Sequence, residues 1–174
     1  AAKLVGIDVI IDLVVNHIGA SSEIFKDVLK NGVYSQYYDW FTWIDDTDER
    51  YDTTGSWGQN IWYRPIDQWY SDHMGFGMHA SLYNKYYAAY FSEWMPDLNF
   101  QNQEVIDYIY DVGTWWIEET GLAGFRMDAV LHIFGENEYL GVANNTQSNI
   151  DFLTGFRNNL LISDPNVYIV VEAW

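Results

Sequence analysis

The sequence predicts an α/β fold in which parallel strands are joined by right-handed helical crossovers, with one small irregular domain inserted after the first strand. Three observations carry this. Ile7 to Val15 and Val167 to Val171 are apolar nearly throughout and rich in β-branched residues, as in parallel strands covered on both faces. Asn102 to Thr120, and then about residues 149–162, show the spacing of amphipathic helices. The strands also end alike, in His17, Asp128 and Glu172. Polar groups repeated at the C-terminal ends of parallel strands describe the mouth of a TIM-type barrel. A doubly wound sheet would bring a glycine-rich phosphate loop, and the sequence has none.

In order, residues 1–17 give one barrel strand. Ala1 to Gly6 reads as the tail of a preceding element, with Gly6 as a stop. Asp12 is the odd residue of the strand, since a buried carboxylate needs a partner, and Arg126 is the candidate. Residues 18–101 lose all sustained period; acids, aromatics and turn residues alternate, as at Asp45-Asp46-Thr47-Asp48 and Thr53-Thr54-Gly55-Ser56. A connection this long without regular helices has to be a small domain of its own. Residues 102–174 supply helix, strand, helix and strand. Asn102 caps the first helix, Val105, Ile109, Val112 and Trp116 form its apolar stripe, and Gly121 ends it. Leu122 to Val130 is the next strand. A polar loop over Gly135 to Ser148 leads to a helix with Phe152, Phe156 and Leu160 on one face, stopped at Asp164-Pro165.

Composition excludes several classes. Nearly half of the 174 residues are apolar, which permits a sizeable core. There is no cysteine, hence no disulfide, no thiolate metal site and no cysteine nucleophile. No run approaches transmembrane length, and the N-terminus lacks a signal-peptide pattern. A formal charge of −17 argues against nucleic acid or an anionic membrane as partner and suits a neutral substrate or a cation. Aromatic residues make up 18% of the chain, and six of nine Trp and ten of fourteen Tyr fall between residues 18 and 101. Such rings fill a core or stack on sugars.

Within the strand Leu122 to Val130, alternation puts Gly124, Arg126 and Asp128 on one face and Phe125, Met127 and Ala129 on the other. A cation and a carboxylate on one face are costly unless they pair or do chemistry. Arg126 beside Asp128 favours the ionised acid, the form a nucleophile needs. A structural ion pair fits that stretch equally well.

Four stretches resemble the α-amylase family of glycoside hydrolases (glycoside hydrolase family 13): Asp12-Leu13-Val14-Val15-Asn16-His17, Met95-Pro96-Asp97-Leu98-Asn99, Gly124-Phe125-Arg126-Met127-Asp128-Ala129-Val130-Leu131-His132 and Val170-Val171-Glu172-Ala173-Trp174. The resemblance implies a partial TIM (β/α)8 barrel, its third to fifth strands, with a β-rich domain B inserted after the third. It implies that Asp128 is the nucleophile and Glu172 the general acid/base, the latter raised in pKa by an apolar setting so that it begins protonated. It also implies that His17, Arg126 and His132 contact the sugar and that Asp12 braces Arg126.

Asn16, Asp97 and the main-chain carbonyl of His132 match a family calcium site, all hard oxygen donors. The substrates implied are starch, maltooligosaccharides or related α-glucosides, in an extracellular or periplasmic setting. Met95-Pro96-Asp97-Leu98-Asn99 looks intermediate between the oligo-1,6-glucosidase and neopullulanase groups, so α-1,4 and α-1,6 cleavage both stay open. Transglycosylation and a non-catalytic carbohydrate-binding relative are the alternatives, the latter disfavoured by the retained acids. Leu131 replaces a lysine with which many α-amylases hold long polymers. A third family acid lies outside these residues, so this chain alone is expected to be inactive and marginally folded.

Overall fold

The structure, a computed structural model, describes residues 2–134 and 146–173, with side chains omitted at 67 and 68. Most of the polar loop expected over Gly135 to Ser148, and Trp174, lie outside the described residues. In chain order the regular elements are β1 (Ile10–Val14), α1 (Glu23–Asn31), β2 (Trp43–Ile44), β3 (Trp62–Tyr63), α2 (Asp67–Met74), β4 (Tyr86–Ala88), α3 (Gln103–Thr120), β5 (Gly124–Asp128), α4 (Gln147–Ser163) and β6 (Tyr168–Val171). They fall into two units: one runs to Asn16 and resumes over Phe100–Phe134 and from Thr146 on; the other is His17–Asn99.

In the first unit β1, β5 and β6 form a parallel sheet in the order β1-β5-β6. This is an α/β arrangement with an incomplete barrel sheet, not a closed eight-stranded barrel. α3 is capped as its sequence demands. Asn102 Oδ1 accepts from the Glu104 N–H at 3.0 Å, and Gly121 ends the helix in the left-handed region at φ 68°. Its buried stripe is Val105, Ile109, Gly113 and Ile117, so in the last two turns it falls one residue beyond the expected Val112 and Trp116. Gly113 explains the shift: a Cβ there would stand 2.7 Å from the Phe156 ring, so only glycine lets α4 come that close. On α4 the expected face of Phe152, Phe156 and Leu160 is buried, and the Phe156 ring lies 6.0 Å from that of Phe125 on β5.

The helices cover only one face of this sheet. Leu13, Phe125 and Met127 are buried on it, whereas Ile10, Val14 and Val170, on the other face, are exposed. The expectation of strands covered on both faces is therefore corrected. β1 and β6 are the edges of a three-stranded sheet, and the open face carries Asp12, Arg126 and Asp128 by the two-residue alternation of strands.

The second unit holds an antiparallel sheet in the order β2-β4-β3 over a core of Ile44, Ile61, Trp62, Ala88 and Tyr90. It also contains two helices where none was expected. α1 is capped by Ser22, whose Oγ accepts from the Phe25 N–H at 3.2 Å, and buries Phe25, Val28 and Leu29. Phe25 is the hub of an aromatic cluster, with the rings of Phe41, Tyr87 and Trp43 at 4.9, 5.0 and 6.3 Å. Part of the aromatic excess in the insert is thus core, while Tyr34, Trp57, Tyr83 and Trp94 are exposed. No helix among the described residues is long and apolar enough to cross a membrane.

Candidate active site

The parallel register sets the site. Asp12, Arg126 and Val170 lie side by side across the three strands, and Val14 pairs with Asp128. Beyond the last strand pair, the Glu172 N–H donates to the Met127 carbonyl at 2.9 Å, so the ladder carries Glu172 to the same end of the sheet as Asp128.

Arg126 stands among three acids. Nη1 lies 2.9 Å from Asp128 Oδ1 and 3.3 Å from Asp12 Oδ1, while Nη2 lies 2.8 Å from Glu172 Oε1. Partial desolvation works against the guanidinium charge, but Asp12, Glu172 and Asp128 outweigh it and hold the Arg126 pKa above its ordinary value. The planar fork lets one side chain hold carboxylates with separate nitrogens. Glu172 does not sit in the apolar pocket expected of it. It is paired with a cation, with 35% of its side chain exposed, because β6 is an edge strand and this face of the sheet is open.

Directly after Asp128, Ala129 adopts a left-handed conformation at φ 51°, a cost of about 1–3 kcal/mol for a residue with a Cβ. It turns the chain into the short helical turn Val130–His132. Nothing in the sequence announces this strain, since alanine is not a residue of left-handed turns. The turn buries His132 and brings its carbonyl to Asn16, whose side-chain amide donates to it. Burial pushes the His132 pKa below its ordinary value, so the ring is neutral at neutral pH and can donate to or accept from a hydroxyl.

The remaining predicted residues belong to the second unit. His17 forms an isolated antiparallel bridge with Asp97, and its ring lies 5.6 Å from that of Phe91. Burial lowers its pKa also. Asp97 is buried, and its Oδ2 accepts from the Tyr90 N–H at 2.8 Å.

For calcium, the donor chemistry fits in part. Asn16 and the His132 carbonyl are buried in contact, and turning the amide would direct Oδ1 where Nδ2 now points. No group of three or more His, Cys, Asp or Glu side chains converges among the described residues, so an ion at Asn16 and the His132 carbonyl would depend on neutral oxygens.

The sequence matches the alpha amylase catalytic domain over residues 1–174. The chain belongs to the α-amylase family. Alpha-amylase 3 of Dictyoglomus thermophilum is 30% identical over 168 residues, covering 97% of this α-amylase-family chain and 27% of that protein. Probable oligo-1,6-glucosidase 3 of Bacillus subtilis is 32% identical over 124 residues, covering 71% of the chain and 20% of the relative. Among solved structures, the α-amylase from H. orenii is 30% identical with a TM-score of 0.66, over 97% of this chain and 29% of that one. A family GH13_31 enzyme superposes at a TM-score of 0.78 with 21% identity over 98% and 32% of the two chains, a likeness of fold. This α-amylase-family chain therefore spans between a fifth and a third of the length of these relatives.

Proposed function

We propose that the protein carrying this chain hydrolyses α-glucosidic bonds of starch, maltooligosaccharides or related α-glucosides with net retention. The observation that carries the reading is the placement of Asp128 and Glu172 at one end of adjacent parallel strands, each on its own nitrogen of a single guanidinium. Retaining hydrolysis needs two carboxyl groups that reach one sugar, roughly 5–5.5 Å apart.

In this reading the Asp128 carboxylate attacks the anomeric carbon while Glu172 gives its proton to the bridging oxygen, and the leaving sugar departs with that proton. Glu172 must leave Arg126 Nη2 to do so, and a sugar entering between the strand ends supplies the displacement. Glu172, now a carboxylate, takes a proton from water as the water attacks the same carbon and frees Asp128. Two inversions give retention. Neutral His17 and His132 hydrogen-bond sugar hydroxyls, and Asp12 keeps Arg126 directed at Asp128.

The three parallel strands correspond in this reading to the third, fourth and fifth of the barrel. The stretch Met95 to Asn99 supports a place between the oligo-1,6-glucosidase and neopullulanase groups, with α-1,4 bonds the first substrate and α-1,6 bonds the second. Calcium, held by Asn16, Asp97 and the His132 carbonyl, would supply structural charge and take no part in the chemistry.

The test uses the full-length protein and the anomer first released from maltotriose, followed by proton NMR. The α-anomer is expected, with activity down by about 10³-fold or more in Asp128→Asn and Glu172→Gln. A β-anomer, or undiminished turnover with alanine at both positions, would overturn the proposal. Longer saccharides as the main product would assign transfer in place of hydrolysis.

A further inference from the structure

Asn149 is a buried amide that the chemistry of Asp128 and Glu172 does not use. It opens the buried face of α4 that continues as Phe152, Phe156 and Leu160, and only 4% of it is exposed. Its Nδ2 donates to the Leu131 carbonyl at 3.3 Å, while its Oδ1 is buried with no hydrogen-bond partner among the described residues. For stability alone this is a poor residue. A leucine would extend the apolar face, form helix more readily and bury no unsatisfied oxygen. What the amide supplies is a hold on Leu131.

That hold bears on His132. A peptide group is planar, so the Leu131 carbonyl and the His132 N–H belong to one rigid plate, and the His132 carbonyl belongs to the next. The first plate is fixed at both edges: Asn149 donates to its carbonyl, and its N–H donates to the Ala129 carbonyl at 2.9 Å. The second is fixed by the side-chain amide of Asn16. With both plates held, the direction in which the His132 side chain leaves the backbone is set.

Ala129 makes the hold necessary. A left-handed alanine persists only where its surroundings over-determine it, and alanine has no side chain with which to cap the turn it begins. The constraint comes instead from the end of β1, through Asn16, and from the start of α4, through Asn149. The Thr146 hydroxyl in turn fixes Asn149, accepting from its N–H at 3.3 Å. All of these residues lie in the first unit. Of the two amides, Asn149 is the one that keeps its grip if Asn16 turns toward an ion.

We infer that Asn149 is a positioning residue for the reaction: through the Leu131 carbonyl it aims the His132 ring at the sugar, touching no substrate itself. The role rests on the proposed function; the contact does not.

Steady-state hydrolysis of maltotriose by the full-length protein tests it. Asn149→Leu and Asn149→Ala should each lower kcat about tenfold with KM within about threefold, because a misaimed donor tells most in the transition state. Asn149→Leu should melt within about 3 °C of the parent, so the lost activity is not lost folding. In protein already carrying His132→Gln, adding either variant should lower kcat by less than about twofold more, since no ring is left to aim. One variant adds bulk and the other leaves a void, so either serves if the other does not fold. Failure of both to fold would make the amide structural and overturn the inference. So would a kcat close to the parent's, or an equal loss with and without His132. If the parent cleaves maltotriose through Asp128 and Glu172 while the Asn149 variants match it, only this inference fails; if the parent cleaves no α-glucosidic bond, the proposed function fails and this inference with it.

Discussion

Arg126 joins Asp128 to Glu172, with Nη1 at 2.9 Å from an oxygen of the first and Nη2 at 2.8 Å from an oxygen of the second. An ammonium is a single point of charge and cannot reproduce that fork. Arg126→Lys should lower kcat on maltotriose about 100-fold with a smaller change in KM, since what is lost is orientation and charge at the reacting carbon. Steady-state kinetics of the full-length protein decide it; a loss below threefold would mean the fork is incidental.

Buried His132 and partly buried His17 make stability depend on pH. His17 and His132 both have pKa values lowered from 6.5 by burial, so between 6.5 and the folded value the unfolded chain holds protons that the folded chain does not. The contribution is complete above pH 6.5 and is lost as pH falls through the folded pKa. Melting temperature should therefore drop between pH 7.5 and 5, and His132→Gln should flatten that slope. A slope unchanged by the substitution would remove His132 from the account.

Gly113 sits mid-helix, where alanine ordinarily adds about 1 kcal/mol of stability. Here a Cβ would meet the Phe156 ring at 2.7 Å. Gly113→Ala is expected to destabilise by about 1–3 kcal/mol through overpacking, and Phe156→Leu in the same chain should recover part of that. Urea unfolding of the three variants gives the answer, and a stabilised Gly113→Ala would show that α4 yields easily.

Removal of calcium should lower the melting temperature of the full-length protein if Asn16 and the His132 carbonyl act as ligands. Scanning calorimetry with and without a chelator should show that drop, and Asn16→Ala should abolish the difference. Identical transitions in the parent would argue that the contact between Asn16 and His132 is a hydrogen bond and nothing more.

What could be read from the sequence was local or periodic. The caps at Asn102 and Gly121 and the Phe152, Phe156, Leu160 face are set by residues within a few turns of one another, and the helix–strand alternation implied a parallel sheet. α1 was legible in Ser22 as cap and in Phe25, Val28 and Leu29 at helical spacing, but at nine residues it is too short for that period to repeat. The one-sided cover of the sheet depends on what packs against it, which no strand pattern contains. The contact between Arg126 and Glu172 joins residues on different strands, and motif spacing gave no sign that the proposed acid/base would rest on the cation of its neighbour.

Gly124 pairs with Tyr168 where the two strands begin, and its backbone, at φ 155°, leaves no room for a Cβ, which would fall 1.7 Å from the Tyr168 carbonyl oxygen. That pairing fixes how far β5 is slid along β6, and the same offset, carried to the other end, aligns Asp128 with Glu172. A single slipped step there would turn the acid off its mark by a whole pleat. An atom missing from a glycine thus serves as the ruler for a reaction centre that it never touches.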